Sequence, residues 1–333
     1  MRPTFHPLLV NHPFDDPCLF INFLFENSAL AFDLGEINNL APRDILKLTH
    51  IFVSHTHIDH FAGFDRFLRL ALGRDREVHL FGPENFLSNI SGKLRAYTWN
   101  LTDRYEKSLR LQVTEVTSRG MRTQKYRCQD RFAPTAPPRS SPWTGTLLEA
   151  PGFTISAVIL DHGIPCLGFC LKERFHINIK KEALTARGLE PGPWLQSFKK
   201  ALYEQAPPDT SITVPAGDRI RTFELAVLAR DIALITPGQK IVYITDVAFS
   251  PDNVERIMTF ARNADHLFIE AYFLDADREA AREKKHLTAA QAGELAGRSG
   301  ARRFTIFHVS PRYMDRLADI EQEARQAYDR FRT

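Results

Sequence analysis

The run Leu48-Thr49-His50-Ile51-Phe52-Val53-Ser54-His55-Thr56-His57-Ile58-Asp59-His60 decides how this chain is read. Its first half is β-prone. Its second half packs three histidines and a carboxylate into seven residues, a density that core packing does not require. The following Phe61-Ala62-Gly63-Phe64-Asp65-Arg66-Phe67-Leu68-Arg69-Leu70 carries apolar residues at helical spacing, so the motif belongs on a turn between a strand and a helix. On such a turn a few side chains can point in different directions. His55 and His57 can then converge on one metal ion while Asp59 and His60 face a second. Zinc takes about four ligands including water, so distant residues must complete each shell.

Suitable residues stand at the ends of other β-prone runs. Leu160-Asp161-His162-Gly163 offers His162, Ile244-Thr245-Asp246 offers a carboxylate, and Ile306-Phe307-His308-Val309-Ser310 offers His308. Layered folds place ligands at strand ends, as open α/β sheets do. The resulting nitrogen and oxygen set suits two divalent ions, zinc first, with manganese or iron as alternatives. His6, His12, His50, His79, His176 and His266 lack such a context and read as ordinary histidines.

The rest of the chain sets bounds on this reading. Its 333 residues, 44% of them hydrophobic, can bury a sizeable core, and a formal charge of +3 is too mild to mark a nucleic-acid protein by itself. The apolar run Cys18 to Phe25 is short and follows Asp15 and Asp16, so neither a signal peptide nor a membrane span is expected, and the cytoplasm is the default compartment. Cys18, Cys128, Cys166 and Cys170 form no CxxC pair and read as buried thiols, with Cys166 and Cys170 sharing one face of a strand.

Strands are expected at Leu19 to Phe25 and Ala29 to Asp33, joined by a hairpin turn at Glu26-Asn27. Further strands are expected at Val78 to Phe81, Leu109 to Val116, Phe153 to Leu160, Ile241 to Thr245, His266 to Ile269 and Phe304 to Phe307. Helices are expected near Asn253 to Ala261 and Ala289 to Ser299, the latter opened by the capping box Thr288-x-x-Gln291 and closed by Gly300. The proline-rich stretch Gly120 to Gly145 reads as a long irregular surface loop. Residues 174–218, with Glu190-Pro191-Gly192-Pro193-Trp194 at their centre, read as an insertion projecting from an otherwise single domain over 1–333.

The motif and its distant partners resemble the metallo-β-lactamase fold superfamily, and most closely its ribonuclease Z family. The resemblance runs from Ala31-Phe32-Asp33-Leu34-Gly35 to Ser310-Pro311-Arg312-Tyr313. It implies an α+β, four-layer αββα sandwich with the metal site at one edge of the two sheets. It assigns His55, His57 and His162 to one metal and Asp59, His60 and His308 to the other, with Asp246 bridging and Asp33 as a structural acid nearby. Glu270 in Ile269-Glu270-Ala271-Tyr272 and His286 in His286-Leu287-Thr288-Ala289 match motifs of the tRNA-processing branch and would handle protons beside Asp59. The implied activity is endonucleolytic removal of the 3′ trailer from precursor tRNA by a hydroxide bridging the two metals. A homodimer is also implied, with residues 174–218 as the flexible arm that grips tRNA.

The chain departs from the family pattern at Ile37-Asn38-Asn39, where Gly-Thr-Gln is common, at Tyr272 in place of threonine, and at Leu287 in place of a small polar residue. These departures bear on substrate rather than on the metal shell. An alternative reading is therefore a divergent hydrolase of a small phosphodiester, sulfate ester or lactone; an RNA-binding module with a structural metal is a third. For an RNA substrate, the expected phosphate contacts are Lys180, Lys181, Lys199 and Lys200 on the arm, with Arg282, Lys284, Lys285 and Arg312 nearer the site. The basic and aromatic run Lys93 to Leu101 reads first as core or dimer packing and second as a base-stacking surface.

Overall fold

The period of two in Ala29-Leu30-Ala31-Phe32 sorts side chains onto opposite faces of a strand, and the same sorting produces the layers of this protein. The computed structural model describes residues 5–23, 27–216 and 219–332. Among these, the first sheet contains, in order, β1 (Phe5–Leu9), β2 (Leu19–Phe23), β3 (Ala29–Phe32), β4 (Leu48–Phe52), β5 (Arg76–Gly82), β6 (Leu109–Thr117), β7 (Gly120–Arg127) and β8 (Arg139–Ser141). Ala29 and Ala31 face a helical layer made of α1 (Pro42–Ile45), α2 (Ile58–Phe61), α3 (Phe64–Ala71) and α4 (Phe86–Arg95). Leu30 and Phe32 face the second sheet.

That sheet begins with β9 (Thr146–Glu149), β10 (Phe153–Asp161) and β11 (Pro165–Glu173). The chain then leaves it for an excursion of four strands, β12 (Phe175–Ile179), β13 (Ser211–Ala216), β14 (Arg219–Glu224) and β15 (Ala233–Pro237). Three helices accompany them: α5 (Lys181–Ala186), α6 (Trp194–Tyr203) and α7 (Leu225–Ile232). It returns with β16 (Lys240–Ile244), β17 (His266–Glu270) and β18 (Phe304–Phe307), giving the order β18-β17-β16-β11-β10-β9. The outer face of this sheet is covered by α8 (Pro251–Phe260), α9 (Arg278–Lys284), α10 (Ala289–Arg298) and α11 (Leu317–Phe331). Between the sheets Phe32, Phe52, Phe169 and Tyr243 interlock, with Phe32 stacked on Phe169 at 5.2 Å. The expected four-layer αββα sandwich is the observed fold.

Local signals mostly stand. The Thr288 hydroxyl accepts from Gln291 N while the Gln291 side chain accepts from Thr288 N, and Gly300 closes the helix at φ 68°. Cys166 and Cys170 are buried on β11. Trp99 donates to the Leu94 carbonyl and packs edge-on against Phe132, so the run Lys93 to Leu101 is in part a packing element. Leu24 to Glu26, and with them part of the expected hairpin turn, lie outside the described residues.

Two expectations need correction. Gly120 to Gly145 is not irregular throughout: Gly120–Arg127 pairs antiparallel with β6 along its whole length. Its polar side chains hide the strand, because backbone pairing does not require apolar residues on both faces. The excursion does not end at 218 either. β15 pairs with β12, from Phe175 opposite Pro237 to Ile179 opposite Ala233, so the chain rejoins the sheet only after 237. Ile177, Trp194, Phe198, Val214 and Leu228 give the excursion a small core of its own.

His50 on β4 and His79 on β5 face each other at 4.9 Å. Burial, reinforced by His79, holds the His50 pKa at about 4 against an ordinary 6.5. Between these values the unfolded chain binds more protons than the fold, so stability rises with pH. The His50 contribution is complete above pH 6.5 and is lost as pH falls toward 4. Thermal unfolding of His50→Gln should therefore show a smaller fall in Tm across that window than the parent does; parallel curves for the two proteins would refute this.

Candidate metal centre

Three of the acids and histidines expected at the site stand just past strand ends in a left-handed backbone conformation: Asp33 after β3 (φ 59°), Asp246 after β16 (φ 47°) and His308 after β18 (φ 56°). Such conformations cost a non-glycine residue of order 1–3 kcal/mol and cluster where a side chain must be aimed. The histidine motif uses a different device. His57 caps α2 in an extended conformation and Asp59 lies in its first turn, so His55 and His57 project from extended chain while Asp59 and His60 project from a helix.

These elements bring all seven expected ligands together. The donor atoms of His55, His57, His162 and Asp246 lie within 4.8 Å of one another, and so do those of Asp59, His60 and His308. Asp246 spans the two groups. Its Oδ2 lies 3.6 Å from His55 Nε2 and 3.3 Å from His162 Nε2, and its Oδ1 lies 3.3 Å from His60 Nε2 and 2.9 Å from His308 Nδ1.

Outer partners fix the rings. His60 Nδ1 donates to Asp33 Oδ2 at 2.9 Å, and that carboxylate also accepts from Ser54 N at 2.6 Å, Ser54 Oγ at 2.9 Å and the Tyr243 hydroxyl at 2.8 Å. His162 Nδ1 donates to the Lys285 carbonyl at 2.8 Å. Both Nε2 atoms are thereby left as lone-pair donors facing inward. His55 Nε2, His60 Nε2 and His308 Nδ1 are buried and make no hydrogen bond. Buried polar atoms are rarely left this way, and here they converge on carboxylates, which is the arrangement a divalent cation fits.

The electrostatics agree. Burial, then the neighbouring His60, pushes His55 down to about 2, and burial, then His162, lowers His57, so both stay neutral. Burial opposes charge on His60 and His308 as well, but Asp246 overrides it and raises both. Burial likewise opposes ionisation of Asp246 and Asp59. Asp246 is nevertheless held low by His308 and His60, and Asp59 by the same two rings, with His308 Nε2 3.3 Å from its Oδ2. The acids of this cluster demand positive charge at its centre.

Glu270, at the end of β17, is fully buried beside it. Its Oε1 accepts from Val247 N at 2.9 Å and Leu287 N at 3.2 Å, and its Oε2 accepts from His286 Nδ1 at 2.7 Å. Burial works against its charge, and His286 restores it. Ionisable groups so placed in a metal cluster are suited to hydrolysis with proton transfer.

No family model matches the chain. It is 32% identical over 302 residues to the ribonuclease Z of Deinococcus radiodurans, covering 90% of this chain and 86% of that one. The chain belongs to the ribonuclease Z family. Among solved structures it is similar to a metallo-β-lactamase fold protein of Bacillus subtilis (TM-score 0.53, 14% identity, 97% and 94% of the two chains covered). It is also similar to the short form of human tRNase Z (TM-score 0.50, 18% identity, 93% of each chain covered). Both have the sandwich fold described above.

The cations expected around this ribonuclease Z family site are less uniform. Lys180, Lys181 and Lys200 are exposed on the excursion, with Lys200 Nζ 3.8 Å from Glu204. Lys199 needs correction: it is half-buried, burial lowers its pKa, and its charged neighbour is Glu173 at the root of the excursion, so it does not present a free surface charge. Arg282 pairs with Glu279, Lys284 is exposed, and Arg312 lies 3.9 Å from Asp277 and over the Phe273 ring. Lys285 Nζ lies 3.8 Å from Asp161, while its carbonyl orients His162. Tyr243 was not legible as part of the site, because Ile241-Val242-Tyr243-Ile244 reads as core strand.

Gly35 gives the metal loop its room. A Cβ there would lie 2.8 Å from Asp16 Cβ and closer still to the Asp59 carbonyl. Gly35→Ala should therefore keep its secondary structure by circular dichroism while metal affinity, measured by calorimetric titration, falls by about tenfold or more. Parental affinity would show that the loop adapts without moving Asp59.

Proposed function

We propose that this chain is a metal-dependent endoribonuclease that removes 3′ trailers from precursor tRNA. The observation carrying the reading is the buried Glu270 to His286 hydrogen bond of 2.7 Å set against the cluster of seven ligand residues. A site that only bound RNA would have no need of it. His55, His57 and His162 would hold one divalent ion and Asp59, His60 and His308 a second, with Asp246 shared. Two such ions, zinc in this reading, supply an acidified water and positive charge for the phosphoryl oxygens.

The chain's own residues then divide the proton work. Asp59 is partly exposed, its side chain 35% accessible, and its carboxylate can orient the attacking water and accept a proton from it. Glu270 holds His286 through Nδ1, which leaves Nε2 to give a proton to the ribose 3′ oxygen as its bond to phosphorus breaks. One water is consumed, the trailer departs with the phosphate, and His286 recovers its proton from solvent.

The excursion with Lys180, Lys181 and Lys200 serves in this reading as the tRNA-gripping arm, with Arg282 and Lys284 on α9 just before His286 and Arg312 just after β18 as further phosphate contacts. The same reading takes a homodimer as the assembly and the cytoplasm as the compartment. No helix among the described residues is long and apolar enough to cross a membrane.

The test is cleavage of a 3′-extended precursor tRNA by zinc- or manganese-loaded protein, run beside a small chromogenic phosphodiester. Cleavage at the trailer is expected, abolished in His57→Ala and reduced by about 10²–10⁴ in His286→Ala. Hydrolysis of the small ester with intact RNA would overturn the tRNA assignment in favour of a small-molecule phosphodiesterase. If the arm binds phosphates, the double variant Lys180→Ala, Lys181→Ala should raise KM for tRNA without changing kcat and lower the salt slope of binding by about two. An unchanged slope would remove these lysines from the interface.

A further inference from the structure

One hydrogen bond does not fix a ring. The contact from Glu270 to His286 Nδ1 leaves the imidazole free to turn about that bond, so its Nε2 would sweep an arc. The contact that removes this freedom comes from Tyr272. Its ring lies parallel to His286, with centroids 4.1 Å apart and an interplanar angle of 14°, and its other neighbours are the His308 ring at 5.1 Å and the Phe273 ring at 5.0 Å. His162 meets His286 edge-on at 4.8 Å.

The backbone that carries Tyr272 is itself held. Its carbonyl accepts from Ser310 N at 3.0 Å, Phe273 N donates to the Leu287 carbonyl at 3.2 Å, and the Phe273 carbonyl accepts from Ala289 N at 2.7 Å. The segment bearing Tyr272, just past the end of β17, is thus laced to both chain segments that deliver His308 and His286. Among the described residues the Tyr272 hydroxyl makes no hydrogen bond, so the contact is made by the ring. The His286 side chain is only 11% accessible, and the tyrosine covers one of its faces.

We infer that Tyr272 is a positioning residue: by stacking on His286 it holds the plane in which Nε2 can reach the leaving oxygen, and so makes the site competent for phosphodiesters whose leaving group must be protonated. This rests on the role given to His286 above. A ribose 3′ oxygen departs as a poor alkoxide unless it receives the His286 proton, whereas p-nitrophenolate departs without one. The two leaving groups therefore separate a loss of positioning from general damage to the metal centre.

The experiment compares the parent, Tyr272→Leu, Tyr272→Phe and His286→Ala on precursor tRNA and on bis-p-nitrophenyl phosphate, with metal content and Tm measured for each. Tyr272→Leu should lower kcat on tRNA by roughly ten- to a hundredfold with KM within about twofold. Its hydrolysis of the chromogenic ester and its metal content should stay at parental levels. Tyr272→Phe should restore tRNA cleavage, and adding Tyr272→Leu to His286→Ala should cause no further loss. Equal losses on both substrates would overturn the inference in favour of a structural role through His308, and so would a phenylalanine variant as damaged as the leucine one. Parental cleavage of tRNA by Tyr272→Leu would overturn it alone, while a parent inactive on tRNA would overturn the functional reading along with it.

Discussion

The Asp33 carboxylate is the contact on which the rest of the site depends. It stands at the end of a strand in the first sheet, in a left-handed conformation, and takes hydrogen bonds from Ser54, His60 and Tyr243. Tyr243 belongs to the second sheet, so one buried acid ties the two sheets together at the edge where the ligands gather. Removing a partner from a buried charged group leaves it unsatisfied at a cost of about 1–3 kcal/mol or more. Here the loss would also free the His60 ring. Sheet packing and ligand orientation are therefore coupled through one side chain.

The cluster carries a second constraint. Asp33, Asp246 and Glu270 are buried and Asp59 is partly so, and burial works against the charge of Asp59, Asp246 and Glu270. Histidines that take up protons answer part of this demand, as the raised pKa values of His60 and His308 indicate. Divalent cations answer it more completely, and their binding would then stabilise the fold by linkage. The strained backbone at Asp33, Asp246 and His308 belongs to the same economy: local conformational energy is spent to aim acids and rings at one point.

The clustered histidines and acids were legible because their chemistry is concentrated. Three histidines and an aspartate in seven residues stand out from any core pattern, and His162, Asp246 and His308 each follow a recognisable strand. The layering was legible from the order of the expected elements, strands first and then helices and strands in alternation, while the sorting of Ala29 and Ala31 toward helices and of Leu30 and Phe32 toward the other sheet is visible only in the structure. What escaped had no local signature. β7 is polar and declares itself only by pairing with β6, and the return strand Ala233–Pro237 is recognisable only from its partner some sixty positions earlier. Tyr243 reads as core because a buried tyrosine in a strand looks the same whether or not its hydroxyl meets an acid. Lys199 reads as a surface charge because sequence does not show which way a helix faces the root of the excursion.

Lys285 and His286 show how the two halves of the cluster stay in register. Lys285 closes α9 in a left-handed conformation, φ 57°, which turns its carbonyl onto His162 Nδ1 and delivers the next residue, His286, to Glu270. Consecutive residues thus set the tautomer of His162 and the position of His286. A displacement of α9 would shift both together, so their relative geometry survives motions that would misalign groups on separate elements. Glu270 adds the converse link, since its Oε1 holds the backbone directly after Asp246 while its Oε2 holds His286. The Asp246 carboxylate and the His286 ring are therefore placed by one hydrogen-bonded frame, and a substitution in that frame is felt by both.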